Sequence, residues 1–154
     1  GLTCQVYETP GHTKDSLAFY FPEIKTLFPS EACGVLQGAT GSDMQVEFLA
    51  SYQDYIDSLK LMISLKPEMV CLGHGWVLTH EDAEDFFKRS LSETFRYREL
   101  IEGCLDAAEG DVEKAIQDMV HAEYDVKGDI LQERVSYITN LSAQVKHIAG
   151  LREL

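Results

Sequence analysis

Glu8-Thr9-Pro10-Gly11-His12-Thr13-Lys14-Asp15-Ser16-Leu17-Ala18-Phe19-Tyr20 is the stretch from which the rest of the chain is read. It joins two runs of different character. Before it, Gln5-Val6-Tyr7-Glu8 has the composition of a short strand, stopped by Thr9-Pro10-Gly11. Within and after it, Leu17-Ala18-Phe19-Tyr20-Phe21 is a nearly continuous apolar run closed by Pro22-Glu23, and Thr26-Leu27-Phe28 restarts at hairpin spacing. Such continuity predicts two largely buried strands. Between the strands sits a histidine on a Pro-Gly turn, a place where a side chain is aimed rather than packed.

Working outward, Glu31-Ala32-Cys33-Gly34-Val35 follows the hairpin, and Gln37-Gly38-Ala39-Thr40-Gly41-Ser42 is too small and polar to bury an element, which marks it as a mobile rim. From Tyr52, the apolar positions Ile56, Leu59 and Ile63 recur at threes and fours, giving an amphipathic helix that Pro67 ends. Met69-Val70-Cys71-Leu72 reads as a buried strand stopping at Gly73. A helix followed by a strand is the second half of a crossover unit. From Thr79 onward there is no proline, and the spacing is helical. Thr79 with Asp82 resembles a helix start, Gly110-Asp111 ends one helix and caps another, and Gly128-Asp129 repeats the device before Leu131, Val135, Ile138, Leu141, Val145 and Ile148. The fold class is therefore α/β over residues 1–78, with a helical extension over residues 79–154.

With 154 residues, 45% of them hydrophobic, the chain can build one core but not comfortably two. Thirteen Lys and Arg against 26 Asp and Glu leave a net charge of −13, which repels phosphate backbones and anionic lipid; nucleic acid is an unexpected partner. No apolar run approaches the roughly 18 residues of a membrane span. The start, Gly1-Leu2-Thr3-Cys4, lacks the layout of a signal peptide, so a cytoplasmic protein is expected. Four cysteines without a CxxC pair fit reduced thiols in that compartment.

Three positions combine a metal-capable side chain with a glycine turn at the end of a strand: His12 in Thr-Pro-Gly-His-Thr, Glu31 in Ser-Glu-Ala-Cys-Gly, and His74 in Leu-Gly-His-Gly. Imidazole and carboxylate bind hard or borderline metals, and the glycine lets the backbone turn so that the ligand points into a cleft. Other groups have plainer readings. Cys33 and Cys71 are small buried hydrophobes, although Cys71-x-x-His74 has the spacing of half a zinc site. Ser16 has neither a nucleophile elbow nor a local histidine. Trp76, Tyr7 and Tyr52 either line a pocket or fill the core, and His80, His121 and His147 fall in helical patterns as solvated or capping groups.

The same residues carry a family resemblance. Residues 8–20, then Leu27-Phe28-Pro29-Ser30-Glu31-Ala32-Cys33-Gly34, then Leu72-Gly73-His74-Gly75 resemble the C-terminal half of the metallo-β-lactamase superfamily in order and separation. The resemblance covers about residues 4–78. It implies half of an αββα sandwich in which His12 binds one metal, Glu31 bridges, and His74 binds the second. It also implies metal-bound hydroxide acting on an ester, thioester, lactone or phosphodiester of a small molecule. Zinc is the expected metal, with iron or manganese as the alternatives, and two ions in the intact parent.

This sequence departs from the family in two ways. The His-x-His-x-Asp-His run of the N-terminal half is absent, and Glu31 stands where Asp is usual, one methylene longer. The chain is thus expected to be a fragment, inactive alone, whose exposed sheet face is covered by the missing half or by a homodimer mate. The competing expectation is a non-catalytic protein-binding or assembly module with a remnant metal site.

Overall fold

The computed structural model describes residues 1–38 and 40–153; Ala39, inside the expected rim, lies outside them. A five-stranded sheet is ordered β1 (Gln5–Glu8), β2 (Leu17–Phe21), β3 (Thr26–Phe28), β6 (Met69–Cys71), β7 (Val77–Thr79), and a separate hairpin pairs β4 (Val35–Gln37) with β5 (Asp43–Gln45). β1 and β3 are each antiparallel to β2, β6 is parallel to β3, and β7 returns antiparallel. The crossover from β3 to β6 contains helix α1 (Tyr52–Ser64), as the helix-then-strand order predicts. β1, β3 and β6 consequently point the same way, and the loops that follow them share one edge of the sheet.

The two faces of that sheet differ. Ala18, Tyr20, Leu27 and Val70 are buried and join Tyr55, Ile56, Leu59 and Met62 of α1 and Phe87 of the next helix in one cluster. On the opposite face, Val6 stands opposite Phe19, and Phe19 opposite Phe28. With Leu17, Met69 and Val77, these six side chains are between 37% and 61% exposed. The expectation that both hairpin strands are largely buried is therefore corrected: β2 alternates exposed and buried, because helices cover only one side of it.

Helices α2 (Glu81–Ala107), α3 (Val112–Met119) and α4 (Arg134–Arg152) form the remainder, with a π-helical segment, Val120–Val126, continuing α3. Asp111 caps α3 by accepting from the Lys114 amide at 3.0 Å, as expected. Two boundaries differ from the sequence reading. Thr79 ends β7 rather than starting a helix, and α2 begins at Glu81 after His80. α4 begins at Arg134, where Glu133 rather than Asp129 is the cap and accepts from the Ser136 amide, and Leu131 and Val135 are 73% and 69% exposed instead of lying on a buried stripe. Among the described residues, no helix is long and apolar enough to cross a membrane.

The helical part also reaches into the α/β part. Phe48 packs edge-on against Tyr52, Tyr55 and Tyr97 with ring centres 5.1 to 6.3 Å apart. Gln144 of α4 donates to the Val46 carbonyl, and Ser90 of α2 donates to that of Cys33. These bonds satisfy backbone carbonyls of segments that lie outside the larger sheet.

Candidate metal centre

The first of the three loops is jammed against α1. Gly11 has φ +132°, and a Cβ there would lie 2.4 Å from the Tyr55 backbone, so no other residue fits. Its carbonyl accepts from the Ala50 and Ser51 amides at 3.0 and 3.2 Å, and Ser58 donates to the Pro10 carbonyl at 2.7 Å. His12 is thereby held with its side chain only 10% exposed. Its Nδ1 lies 2.9 Å from the Glu47 carbonyl oxygen. A carbonyl only accepts, so Nδ1 carries a proton and Nε2 points the other way.

Nε2 faces Glu31. His12 Nε2 is 3.0 Å from Glu31 Oε2, while the other carboxylate oxygen, Oε1, is 2.6 Å from His74 Nε2. Glu31 rides on the turn after β3, and His74 on the β6–β7 turn that Leu72 closes by donating to the Trp76 carbonyl at 3.0 Å. Gly73 approaches the backbone of Ser30, which brings the two turns side by side. Three residues separated by 19 and 43 positions thus meet at the shared edge predicted by strand direction. Burial pushes the Glu31 carboxyl up, but the His74 hydrogen bond and the nearby His12 and His74 charges outweigh it, and the group sits below the ordinary carboxylate range.

A ring nitrogen this close to a carboxylate oxygen requires a proton or a metal cation between them. Two imidazoles and a carboxylate form a donor set suited to a borderline divalent ion, and the Glu47 carbonyl behind His12 is the kind of partner that orients a ligating imidazole. Two ligands of one tetrahedral zinc stand roughly 3.4 Å apart, given bonds of about 2.0–2.2 Å. The His12 to Glu31 spacing is near this, whereas the His74 to Glu31 spacing is that of a hydrogen bond. Among the described residues, no three His, Cys, Asp or Glu side chains already stand in an arrangement that would hold an ion. The donors fit in chemistry, and Glu31 lies within 3.0 Å of both imidazoles.

Other sequence candidates separate from the cluster. Burial, helped by the Glu31 charge, pushes the Cys33 thiol far up, which makes it an inert core group. Ser16 bonds to Thr13 at 2.7 Å and so shapes the turn. Trp76, beside His74, borders the cleft next to the cluster, whereas Tyr52 is buried. His147 accepts from the Tyr52 amide at 2.9 Å, a cap supplied from a distant helix.

One group central to the site escaped the sequence reading. Glu47 is 6% exposed, and its Oε1 accepts from Asn140 at 2.9 Å and Gln45 at 3.0 Å. Gln45 also donates to Gln132 and accepts from Gln37. The residue that orients His12 is therefore fastened by α4 and by the segment before it.

The metallo-beta-lactamase superfamily model matches residues 2–74. Among solved structures, a metallo-beta-lactamase family protein from Thermus thermophilus is similar over 97% of this chain and 44% of its own, with TM-score 0.62 and 17% identity. An archaeal metallo-beta-lactamase superfamily protein from Sulfolobus tokodaii is similar over 100% of this chain and 47% of its own, with TM-score 0.52 and 18% identity. The chain spans less than half the length of either.

Proposed function

We propose, from the match of residues 2–74 to the metallo-beta-lactamase superfamily model and from the likeness in fold, that the chain is the C-terminal part of a metal-dependent hydrolase of small-molecule esters, thioesters, lactones or phosphodiesters. The observation that carries the reading is the convergence of His12, Glu31 and His74, with one carboxylate between two imidazoles. These three would hold the metal, zinc first among the candidates, with iron or manganese as alternatives. An ion there supplies Lewis acidity and lowers the pKa of water to about 7. The chain's own contribution is positional. Glu47 and the Gly11 turn aim His12, the β6–β7 turn presents His74 at the mouth, and the segment before α4, through Leu131 and Gln132, bounds the cleft.

Three ligands are too few for two ions, and the apolar outer face of the sheet is uncovered within this chain. Both features support a parent whose remaining polypeptide packs on Val6, Phe19 and Phe28 and completes the ligand set. The isolated chain is then inactive. A homodimer covering the same face is the alternative that light scattering separates, and free thiols at all four cysteines suit a reducing cytoplasm.

Zinc titration by calorimetry tests the reading. One equivalent is expected to bind, with affinity at least tenfold weaker in His12→Ala and in His74→Ala. Zinc retained equally by both variants, or metal-dependent ester turnover by the isolated chain that His12→Ala abolishes, overturns the ligand assignment or the inactivity respectively. A metal-free, stable chain that captures a protein partner establishes the binding-module alternative.

A further inference from the structure

A cleft of about 580 Å³ runs from the cluster toward the segment before α4. Its chemistry is one-sided. Among the described residues no Lys or Arg lines it; its ionisable groups are Glu31, Glu47 and His74, and the remainder is apolar or amide. A phosphoryl-binding wall needs fixed positive donors, and this wall presents carboxylates and carbon instead.

The far rim is built rather than left over. Leu131 is 73% exposed, yet its amide donates to Gln37 Oε1 at 3.2 Å. Its neighbour Gln132 is held twice, with Oε1 accepting from Gln45 at 3.1 Å and the main-chain carbonyl accepting from Tyr124 at 2.8 Å. Three hydrogen bonds fix a large apolar side chain in water, an arrangement that folding alone does not reward. Across the cleft stand Leu36 and Trp76, the latter two residues from His74. Arg89 ties down the strand-connecting loop beside them through the Gly41 and Ser42 carbonyls, and the Trp76 ring approaches Gly41.

We propose that this cleft receives the uncharged apolar acyl chain of a carboxylic thioester or ester, gripped between Trp76, Leu36 and Leu131, and that it selects against phosphodiesters. The proposal rests on the hydrolase reading and narrows its four substrate classes to acyl ones. Glu31 and His74 close one end of the cleft, so a chain lying along the apolar wall places its carbonyl carbon at the cluster. The amide rail of Gln37, Gln45 and Gln132 offers dipoles to a neutral ligand and no counter-charge to an anion.

Trp76 is the only tryptophan of the chain and reports directly from this wall. The full chain, treated with a chelator, is titrated with S-hexanoyl-N-acetylcysteamine, with its S-acetyl homologue and with dibutyl phosphate while Trp76 emission is followed. The hexanoyl probe is expected to give a saturable change at least tenfold below the concentration that the acetyl probe needs, with no saturation by dibutyl phosphate. Leu131→Asp, at an exposed position, is expected to weaken the hexanoyl response at least fivefold with an unchanged circular dichroism spectrum. Saturation by dibutyl phosphate at equal or lower concentration, no hexanoyl response, or a response indifferent to Leu131→Asp overturns the proposal. Because metal is absent throughout, failure of zinc binding leaves this outcome intact, and failure here leaves the zinc titration intact.

Discussion

The loops carrying His12 and His74 leave the same sheet edge, yet they are held in opposite ways. The His12 loop is pressed onto α1, and the ring is 10% exposed with both nitrogens engaged. The His74 loop is closed by one backbone bond across its turn, and its ring is 61% exposed with Glu31 as its polar partner among the described residues. One side of the site is thus finished by this chain, and the other is left open. The proposed metal site, completed by further polypeptide, would use that division, since the finished side must survive without its complement.

The strongest break in the comparison is Gly11→Ala. The new Cβ meets the Tyr55 backbone at 2.4 Å, where neither partner is a flexible side-chain end, and φ +132° is strained for alanine. Relief requires the loop to leave α1, which surrenders the bonds to Ala50 and Ser51 and the orientation of His12. A loss on the order of 3 kcal/mol or more is expected in urea unfolding, together with loss of zinc binding. Gly75→Ala, with φ +68° but open space around the new Cβ, is the matched control on the other loop and is expected to cost roughly 1 kcal/mol.

A smaller effect sharpens how the finished side is supported. His147 accepts the first free amide of α1 through Nε2, and burial lowers its pKa below the ordinary 6.5, with Asp54 opposing in part. A proton on Nε2 would turn this acceptor into a donor facing the positive end of a helix dipole. The unfolded chain binds that proton more readily, so the contribution is complete above pH 6.5 and declines as pH falls toward and through the lowered folded value. The ring is partly solvated, and the effect is expected to stay below about 1 kcal/mol. Melting temperatures between about pH 7.5 and 5 check it, since His147→Gln, which keeps an acceptor, is expected to lose less stability on acidification than the native chain.

The contrast between the loops also separates what the sequence announces from what only the fold brings together. His12, Glu31 and His74 announce themselves because each sits on a glycine turn after a strand, a local signal, and the capping by Asp111 and the breaking of α1 before Pro67 are equally local. Glu47 had no such signal. In Gln45-Val46-Glu47-Phe48 it occupies an alternating position that reads as solvated, and what buries it is Asn140, 93 residues away. The three-residue strand β7 is too short for periodicity to show, and Thr79 at its end mimics a helix cap. Leu131 and Val135 continue an apolar stripe on paper, but the chain does not turn helical until Arg134, so the stripe begins in water. The two-faced apolar run of β2 was read correctly as composition and incorrectly as burial, because the layer that would cover its second face is not formed by these residues.

The smallest expected change is the most discriminating. His74→Ala removes an exposed ring whose one hydrogen bond, to Glu31, is solvated, and stability is expected to move by no more than about 0.5 kcal/mol, or roughly 1–2 °C in Tm. His12→Ala leaves the Glu47 carbonyl without its buried donor and is expected to cost about 1–3 kcal/mol. The two substitutions are nonetheless expected to weaken zinc to a similar degree, because each removes one imidazole from the same carboxylate. Unequal stability with equal loss of metal separates ligation from packing. Were His74→Ala to destabilise the fold as much as His12→Ala, the open loop would be part of the scaffold, and the division of the site into a finished and an unfinished side would fall.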